Sequence, residues 1–238
     1  MKFRHIVVLT GAGISAESGI RTFRDQNGLW EDHRIEDVAT PEGFQRDPDL
    51  VYSFYNLRRA QLQDPAIEPN PAHLALAEFE ASHTARGGQF TLITQNVDDL
   101  HRRAGSRNMI AMHGQLQSAL CSRSGLSHPW IGSLSASDHC SCCDTPQVLR
   151  PDIVWFGEVP YQLDDCFNAL ATTDLFISIG TSGKVYPAAG FLGVAQDAGA
   201  MTVELNMEPT REDFDQGYYG PASQVVVEYL NRLEDQAG

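Results

Sequence analysis

Short apolar runs rich in β-branched residues recur along the chain, and polar or amphipathic segments long enough for a helix separate several of them. The runs cover residues 6–9, 90–94, 174–179 and 201–205. Runs of this length and composition are typical of strands buried on both faces of a sheet. Pro48 opens a predicted helix that runs to about residue 63, and Asn70 with Pro71 caps a second one over 72–82. This alternation predicts an α/β fold with a parallel sheet.

The first apolar run ends in a glycine turn, in which Gly11 and Gly13 are followed by Ala16. Such a turn after a strand can bring backbone amides and a helix N-terminus against a pyrophosphate. Taken alone, it fits a tight turn in any α/β protein equally well. A dehydrogenase would add an acid after a second strand, at the distance of Glu36 or Asp37, but residues 22–37 contain no apolar run. We expect a long polar loop there, of the kind that serves as a lid or a binding loop.

The composition is that of an ordinary globular protein, with 42% hydrophobic and 20% charged residues among 238. We expect one main domain. The formal charge of -14 opposes binding to nucleic acids or anionic membranes. The apolar run near the N-terminus is too short for a secretory signal or a membrane span.

Four of the five cysteines fall between Cys121 and Cys143, in a stretch over residues 117–145 that is rich in serine and has no strong period. This local cluster favours a metal site in a reducing compartment over a disulfide framework. We interpret the stretch as a small inserted module held by a metal, and we expect the protein in the cytoplasm.

Six motifs, in order along nearly the whole chain, closely resemble those of the sirtuin family. They are the segments 11–24 (GAGISAESGIRTFR), 94–98 (TQNVD), 113–114 (HG), 155–158 (WFGE), 180–182 (GTS) and Asn206. The resemblance implies a single catalytic domain with a Rossmann-like parallel sheet and a small zinc-binding-type insertion. The NAD-binding part would cover about 1–30, 85–116 and 150–238, with the small module at about 117–148 and a helical insertion at about 31–70.

The resemblance also implies a reaction in which NAD is consumed. The acyl oxygen of an acyl-lysine attacks the ribose C1′, nicotinamide leaves, and acyl-ADP-ribose and free lysine are formed. The implied NAD-binding residues fall into the motifs and their flanks, and Phe23 and Arg24 would lie on a mobile loop that shields the reactive C1′ from water. The full set is Gly11, Ala12, Gly13, Ser15, Ala16, Phe23, Arg24, Trp30, Gln95, Asn96, Val97, Asp98, Gly180, Thr181, Ser182, Asn206, Met207, Glu208 and Ala222.

His113 and Asn96 are the implied catalytic residues. His113 follows the apolar run 109–112, and an imidazole with an ordinary pKa of about 6.5 suits proton abstraction from a ribose hydroxyl. Only the family motif distinguishes it from the seven other histidines, which we interpret as structural. Asn96 and Asp98 have a second interpretation as caps of a helix over 97–103, and the two roles are compatible.

Tyr55 and Arg58 lie three residues apart on one predicted helical face, with Val51 and Leu62. In isolation, Arg58 could simply extend its charged end into water. The sirtuin subclass that removes succinyl and malonyl groups carries Tyr-x-x-Arg here, which implies a receptor for an acidic acyl tip. The substrate peptide would add as an extended strand between residues 183–185, including Val185, and the segment with Trp155, Phe156 and Gly157.

The cysteines depart from the family pattern of two Cys-x-x-Cys pairs. Cys140 and Cys143 form one pair, but Cys121 is followed by Ser124 where a cysteine is usual. Three zinc ligands remain, and Cys142, His128 or His139 could supply the fourth. A metal-free module with reactive cysteines is the alternative.

Three other functions stay open at this point. A nicotinamide dehydrogenase is disfavoured by the missing second strand, and an NAD sensor without turnover is disfavoured by His113. Transfer of ADP-ribose to protein shares the first chemical step. We expect a monomer whose partners are acylated proteins.

Overall fold

A six-stranded parallel sheet forms the centre of the protein. The computed structural model describes residues 2–21, 29–30 (backbone only) and 33–236. The strands are β1 His5–Thr10, β2 Leu29–Trp30, β3 His33–Arg34, β4 Gln89–Thr94, β5 Met109–Ala111, β6 Gly114–Cys121, β7 Ser127–Pro129, β8 Leu149–Ile153, β9 Leu175–Ile179, β10 Met201–Asn206 and β11 Gln216–Tyr219. The helices are α1 Ile35–Val38, α2 Pro41–Arg46, α3 Pro48–Gln61, α4 Pro71–Ala85, α5 Leu100–Ala104, α6 Leu163–Leu170, α7 Phe191–Asp197 and α8 Ala222–Asp235, with 3-10 helices at Ala12–Ser18 and Ala188–Gly190.

The strand order of this sheet is β11-β10-β9-β1-β4-β5, and all neighbours are parallel. The chain fills the sheet on one side of β1 first and then on the other, which is the doubly wound order of dinucleotide-binding folds. The seam between β1 and β9 is the switch point, outside whose carboxyl end such folds bind their ligands. The predicted Rossmann-like parallel sheet is therefore confirmed.

Both faces of the sheet are covered by helices, which explains why its strands are continuously apolar. On β1, Ile6 and Val8 pack in the core under α4 and α8, while Val7 and Leu9 pack in the core under α6 and α7. Successive side chains of a strand point to opposite faces, so burial on both faces removes the alternation seen in half-exposed strands.

The predicted helix starts agree with the structure. The Asp47 side chain accepts a hydrogen bond from the amide of Leu50 at the start of α3, and Asn70 caps α4 in the same way. Proline in the first turn lacks only an amide hydrogen that would have no partner inside the helix. The helices end at Gln61 and Ala85, within three residues of the predicted ends.

The prediction of a polar loop through residue 37 is wrong at 29–30 and over 33–37. His33–Arg34 pairs antiparallel with Leu29–Trp30, and Ile35–Val38 forms α1. Val38 is fully buried in the core that contains α3, and Ile35 packs against it. A single turn with two apolar residues is too short to give a helical period.

A second, three-stranded antiparallel sheet has the order β7-β6-β8. It continues directly from the parallel sheet, because β6 begins right after His113. The sequence pattern indicated an inserted module in this region but not its strands. Helix α3 packs on β6 and β8.

Candidate active site

One large cleft, with a volume of 630 Å³, opens at the carboxyl ends of the parallel strands and extends to α3 and β8. It brings most of the residues predicted for NAD and for the substrate into one site. Those that line it are Gly11, Ala12, Gly13, Tyr55, Arg58, Gln95, Asn96, Val97, Asp98, His113, Trp155, Phe156, Gly157, Gly180, Thr181, Ser182, Val185, Asn206, Met207 and Glu208.

Three predicted NAD residues do not line this cleft. Ser15 is buried, Ala16 lies in the 3-10 helix Ala12–Ser18, and Ala222 packs against the sheet core at the start of α8. Phe23, Arg24 and the side chain of Trp30 lie outside the described residues. The shielding role of that loop stays a prediction.

The glycine turn after β1 lies directly against the loop after β9. The amide of Gly13 donates to the carbonyl oxygen of Gly180 at 2.8 Å. A Cβ atom at Gly13 would lie 2.7 Å from the Cα of Gly180, and one at Gly180 would lie 2.5 Å from the amide nitrogen of Ile14. Gly180 also has a φ of 59°, in the left-handed region that favours glycine. Both glycines are needed for the two loops to meet at the edge of the cleft.

Asn96 is held in the floor of the cleft by its own amide group. Its Nδ2 donates to the carbonyl oxygen of Gly11 at 3.1 Å and to the Ser15 hydroxyl at 3.2 Å. The Ser15 hydroxyl in turn donates to Asp98 at 2.9 Å. These two bonds use both hydrogens of Nδ2, so Oδ1 is the atom with which Asn96 can accept a bond from a ligand.

Asp98 lines the cleft and also forms a hydrogen bond at the start of α5. One of its carboxylate oxygens accepts the amide of Leu100 at 3.0 Å, next to the N-cap residue Asp99 of α5, which begins at Leu100 instead of residue 97. Burial raises the pKa of Asp98 to about 6, against the opposing effect of the Leu100 and Ser15 hydrogen bonds. A lining carboxyl group with a raised pKa is a mark of functional sites.

His113 follows β5 at the carboxyl edge of the sheet, where the sequence predicted it. Its Nδ1 lies 3.1 Å from the carbonyl oxygen of Gln95. Burial lowers the pKa of His113, and the hydrogen bond to Gln95 offsets part of this decrease. The imidazole is therefore neutral at pH 7, and a proton on Nδ1 that is donated to Gln95 leaves Nε2 as the basic nitrogen.

Hydrogen bonds tie three loops of the cleft together. Gln95, after β4, donates through Nε2 to the Thr181 hydroxyl at 3.0 Å. Asn206, at the end of β10, donates through Nδ2 to the carbonyl oxygen of Thr181 at 2.9 Å. The predicted NAD residues are thus preorganised by contacts among themselves.

Tyr55 and Arg58 line the far end of the cleft from α3. Tyr55 is fully buried, and its hydroxyl accepts a hydrogen bond from the indole Nε1 of Trp155 at 3.1 Å. Arg58 is half-buried; its Nη1 donates to the Phe54 carbonyl oxygen at 2.6 Å, and its guanidinium lies 3.3 Å from the centre of the Phe54 ring. This position favours a cation that faces the cleft over one that extends into water.

Arg150, which sequence reasoning did not select, supports the turn that contains Trp155. It forms an ion pair of 2.8 Å with Glu158, and its guanidinium lies 4.1 Å from the centre of the Trp155 indole. Glu158 also accepts the Trp155 amide at 2.9 Å. The turn closes through Gly157, with a φ of 92°.

Four cysteines converge in the module between β6 and β8. The Sγ atoms of Cys121, Cys140, Cys142 and Cys143 all lie within 4.8 Å of one another, and that of Cys143 lies 3.7 Å from Cys121 and 3.9 Å from Cys142. Four sulfurs each about 2.3 Å from a tetrahedral zinc would be about 3.8 Å apart. The four thiolates fit a closed structural zinc site.

Cys142 supplies the fourth sulfur of this cluster, and it is one of the three candidates for the fourth ligand. His128 and His139 belong to no cluster found among the described residues. Ser124, at the usual cysteine position, places its hydroxyl 3.1 Å from the Cys142 sulfur. Cys142 therefore supplies the thiol that Ser124 lacks.

Helix α3 connects this module to the cleft. The Tyr52 hydroxyl donates to the Leu149 carbonyl oxygen at 2.6 Å, and its ring packs in one apolar cluster with Cys121 and Cys140. One turn along the same helix, Tyr55 lines the cleft.

Two histidines that the sequence left as structural lie directly behind the cleft floor. His73 and His101 contact each other edge to face at 4.8 Å, and burial lowers their pKa values to about 4 and about 3. His73 lies 3.5 Å from the Ser15 hydroxyl, and His101 lies 3.0 Å from that of Thr10. Both are neutral and form part of the support of the site.

The match to a family model covers residues 11–187, and the family is described as Sir2. NAD-dependent protein deacylases of Escherichia coli K12 and Yersinia pseudotuberculosis are 57% and 58% identical to the chain, over 98% and 100% of its length and 83% and 85% of theirs. A Sir2 homologue solved with NAD matches with a TM-score of 0.87 at 36% identity, covering 100% of this chain and 92% of that one.

Two further solved structures bear on the cleft. One is a Sir2 homologue triple mutant with 2′-O-acetyl ADP-ribose, with a TM-score of 0.86, 36% identity and coverage of 99% and 94%. The other is a Sir2 complex with a p53 peptide and NAD, with a TM-score of 0.77, 31% identity and coverage of 100% and 95%.

Fold and cleft define a doubly wound dinucleotide-binding protein with an inserted cysteine module. The chain belongs to the Sir2 family, the sirtuins. None of the helices among the described residues is long and apolar enough to cross a membrane.

Proposed function

We propose that the protein is an NAD-dependent protein-lysine deacylase that accepts acidic as well as acetyl groups. The observation that carries this proposal is one cleft in which a neutral histidine, a buried asparagine and a tyrosine–arginine pair lie together. The relatives named as NAD-dependent protein deacylases and the Sir2 complex with 2′-O-acetyl ADP-ribose support the reaction.

In this reaction the acyl oxygen of the substrate displaces nicotinamide at the ribose C1′ of NAD. We assign ribose and nicotinamide to the part of the cleft near Asn96 and Asp98, where an amide oxygen and a carboxyl group can meet hydroxyl and carboxamide donors. Nε2 of His113 takes the proton of a ribose hydroxyl, so that this oxygen can attack the acyl carbon. The lysine amine then leaves with a proton and one water adds, which gives free lysine and acyl-ADP-ribose. The buried, neutral state of His113 supports this role.

The phosphates and the adenosine of NAD belong, in this proposal, beside Gly180, Thr181 and the segment from Asn206 to Glu208. The position of the two glycine loops supports the phosphate assignment, because both line the cleft at the carboxyl end of the switch point, where doubly wound folds bind the pyrophosphate. The acylated peptide enters as an extended strand between Trp155 and Val185, both of which line the cleft.

Arg58 and Tyr55 form the receptor for the acyl tip. A succinyl carboxylate that leaves water needs a cation and hydrogen-bond donors inside the protein. A guanidinium can provide two parallel bonds, and a phenol can donate while it accepts from Trp155. The succinyl and malonyl choices rest on this pair.

The test is a panel of one peptide that carries acetyl-, succinyl- or malonyl-lysine, incubated with NAD and followed by mass spectrometry. We expect free lysine, nicotinamide and acyl-ADP-ribose in equal amounts, with turnover on the acidic acyl groups. If the product is ADP-ribosylated protein and the acyl group stays on the peptide, the protein is an ADP-ribosyltransferase instead. Reduced cofactor would replace the proposal by a dehydrogenase.

We also propose a cytoplasmic location, supported by five cysteines that form no disulfide bond. The monomeric state and the lack of nucleic-acid binding stay predictions, which sedimentation and a filter-binding assay would test.

A further inference from the structure

Glu204 is a buried carboxylate in the interior of β10, and it lies outside the set of residues that line the cleft. Its residue is only 1% exposed. Glutamate is among the residues least often buried, because an ionised carboxylate loses its hydration unless hydrogen bonds replace it. The partners of Glu204 therefore indicate what the protein gains from it.

Those partners belong to two segments that follow β10. One carboxylate oxygen accepts the Thr210 amide at 3.2 Å and also the Thr210 hydroxyl. The other accepts the Tyr219 hydroxyl at 3.2 Å. Tyr219 is the last residue of β11, so one side chain joins β10, the edge strand and the loop between them.

The loop that Glu204 holds is part of the cleft wall. Met207, Glu208, Pro209 and Thr210 all line the cleft. Met207 is 63% exposed, so the loop is not anchored by burial of its one large apolar side chain. At its start, Asn206 bonds to the carbonyl oxygen of Thr181. At its end, Thr210 is fixed by Glu204.

We infer that Glu204 is a positioning residue for NAD binding. It fixes the end of the loop 207–210, so that this wall of the cleft has its shape before NAD arrives. This inference rests on the proposed assignment of the adenosine part of NAD to this loop. A preformed wall reduces the entropy lost when the ligand binds, so affinity for NAD depends on Glu204 although Glu204 does not touch it.

The substitution Glu204→Gln keeps the size of the side chain but places an NH2 group, which can only donate, next to the Thr210 and Tyr219 groups that donate to Glu204. We expect the KM for NAD and its dissociation constant by calorimetry to rise roughly tenfold, the scale for impaired hydrogen bonds to a charged acceptor. The kcat at saturating NAD and the KM for the acyl-peptide should stay within about twofold, because neither the acyl receptor nor His113 contacts this loop in the proposal.

Glu80→Gln is the matched control. Glu80 is also a buried carboxylate, 3% exposed, and it accepts the amides of Arg107 and Asn108 away from the cleft. The Glu80→Gln variant should have a lower melting temperature and an unchanged KM for NAD. If Glu204→Gln also lowers only the melting temperature, Glu204 is a structural residue and the inference is wrong.

Thr210 gives a second test in case Glu204→Gln does not fold. Thr210→Val removes the hydroxyl that Glu204 accepts, and Thr210→Ser keeps it. We expect weaker NAD binding for the valine variant and recovery for the serine variant. Equal NAD affinity in both would overturn the inference. Calorimetric NAD binding needs no turnover, so these outcomes are independent of whether the wild-type protein removes acyl groups from the peptide panel.

Discussion

The indole Nε1 of Trp155 donates to the hydroxyl of Tyr55 across a gap of 3.1 Å, and this bond connects the proposed peptide-binding segment to the proposed acyl receptor. Tyr55 thereby has a fixed hydroxyl orientation, while Arg58 lies one turn further along α3. The bond fixes the Tyr55 half of the proposed receptor, and Arg58 supplies its positive charge.

Substitution of Arg58 should separate the two acyl activities. Arg58→Met keeps an unbranched chain and removes the cation. The activation free energy derived from kcat/KM for a succinyl peptide should therefore rise by about 2 to 5 kcal/mol, the scale for one partner of a buried charge pair. Tyr55→Phe should raise the same activation free energy by about 1 to 3 kcal/mol, through loss of one hydrogen bond to a charged group. Deacetylation should change little, because a methyl tip forms no bond to Arg58. Equal losses with matched acetyl and succinyl peptides would mean that Arg58 supports the fold or NAD instead.

His113 predicts both a loss of activity and a pH dependence. His113→Ala should abolish deacylation while NAD binding persists. In the wild type, kcat/KM should fall with acid below an inflection that lies under about 6.5, since burial lowers the pKa of the base and only the neutral form accepts a proton. An Asp98→Asn variant tests whether Asp98, with its pKa of about 6, contributes to the inflection. An inflection above 6.5, or near-normal turnover in His113→Ala, would contradict the assignment.

The buried histidine pair predicts a loss of stability in acid. Burial holds the folded-state pKa of His73 at about 4 and that of His101 at about 3, so below about pH 6.5 the unfolded chain binds more protons than the folded one. The free energy of unfolding should be highest above that pH and fall as the pH decreases toward 4. Asp98, whose pKa is raised to about 6, acts in the opposite direction in the range below it.

Thermal melts between about pH 7.5 and 4.5 of the wild type and of His101→Phe test this linkage. The variant has one titrating group fewer, so its melting temperature should depend less steeply on pH, whatever its absolute stability. Parallel curves would assign the acid sensitivity to other groups.

The cysteine cluster predicts about one zinc per chain in purified protein. Cys142→Ser should lower both the zinc content and the melting temperature, because a structural zinc contributes directly to folding. The double variant Cys142→Ser with Ser124→Cys should regain zinc, since the Ser124 hydroxyl lies next to the Cys142 sulfur. Cys166→Ala, outside the cluster, is the control and should keep its zinc. Full stability of metal-free protein would show that the module folds without metal.

Much of the site could be predicted because its residues follow strands. His113 comes directly after a strand, and Gly11 and Gly180 begin the loops after two others, so topology brings their sequence motifs to one edge. The helical face with Tyr55 and Arg58 could also be predicted from the sequence, since the helix has clear start signals.

Other parts had no signal of their own. Strand β11 has the sequence QGYY, with no apolar run, and forms because it pairs with β10. Glu204 reads as an ordinary polar residue in a strand, and only its burial reveals its partners. Cys142 was one of three candidates for the fourth ligand, because spacing alone does not determine which group folds back onto a cluster.

Helix α3 makes the cysteine module and the cleft structurally dependent on each other. Tyr52 is built into the core of the cysteine module, and Tyr55 is built into the wall of the cleft, on a helix with no break between them. A transfer of only Tyr55 and Arg58 into another protein omits the cysteine module, and the packing of α3 on that module orients the helix. The smallest unit that would carry the proposed acyl receptor intact is α3 together with the cysteine module.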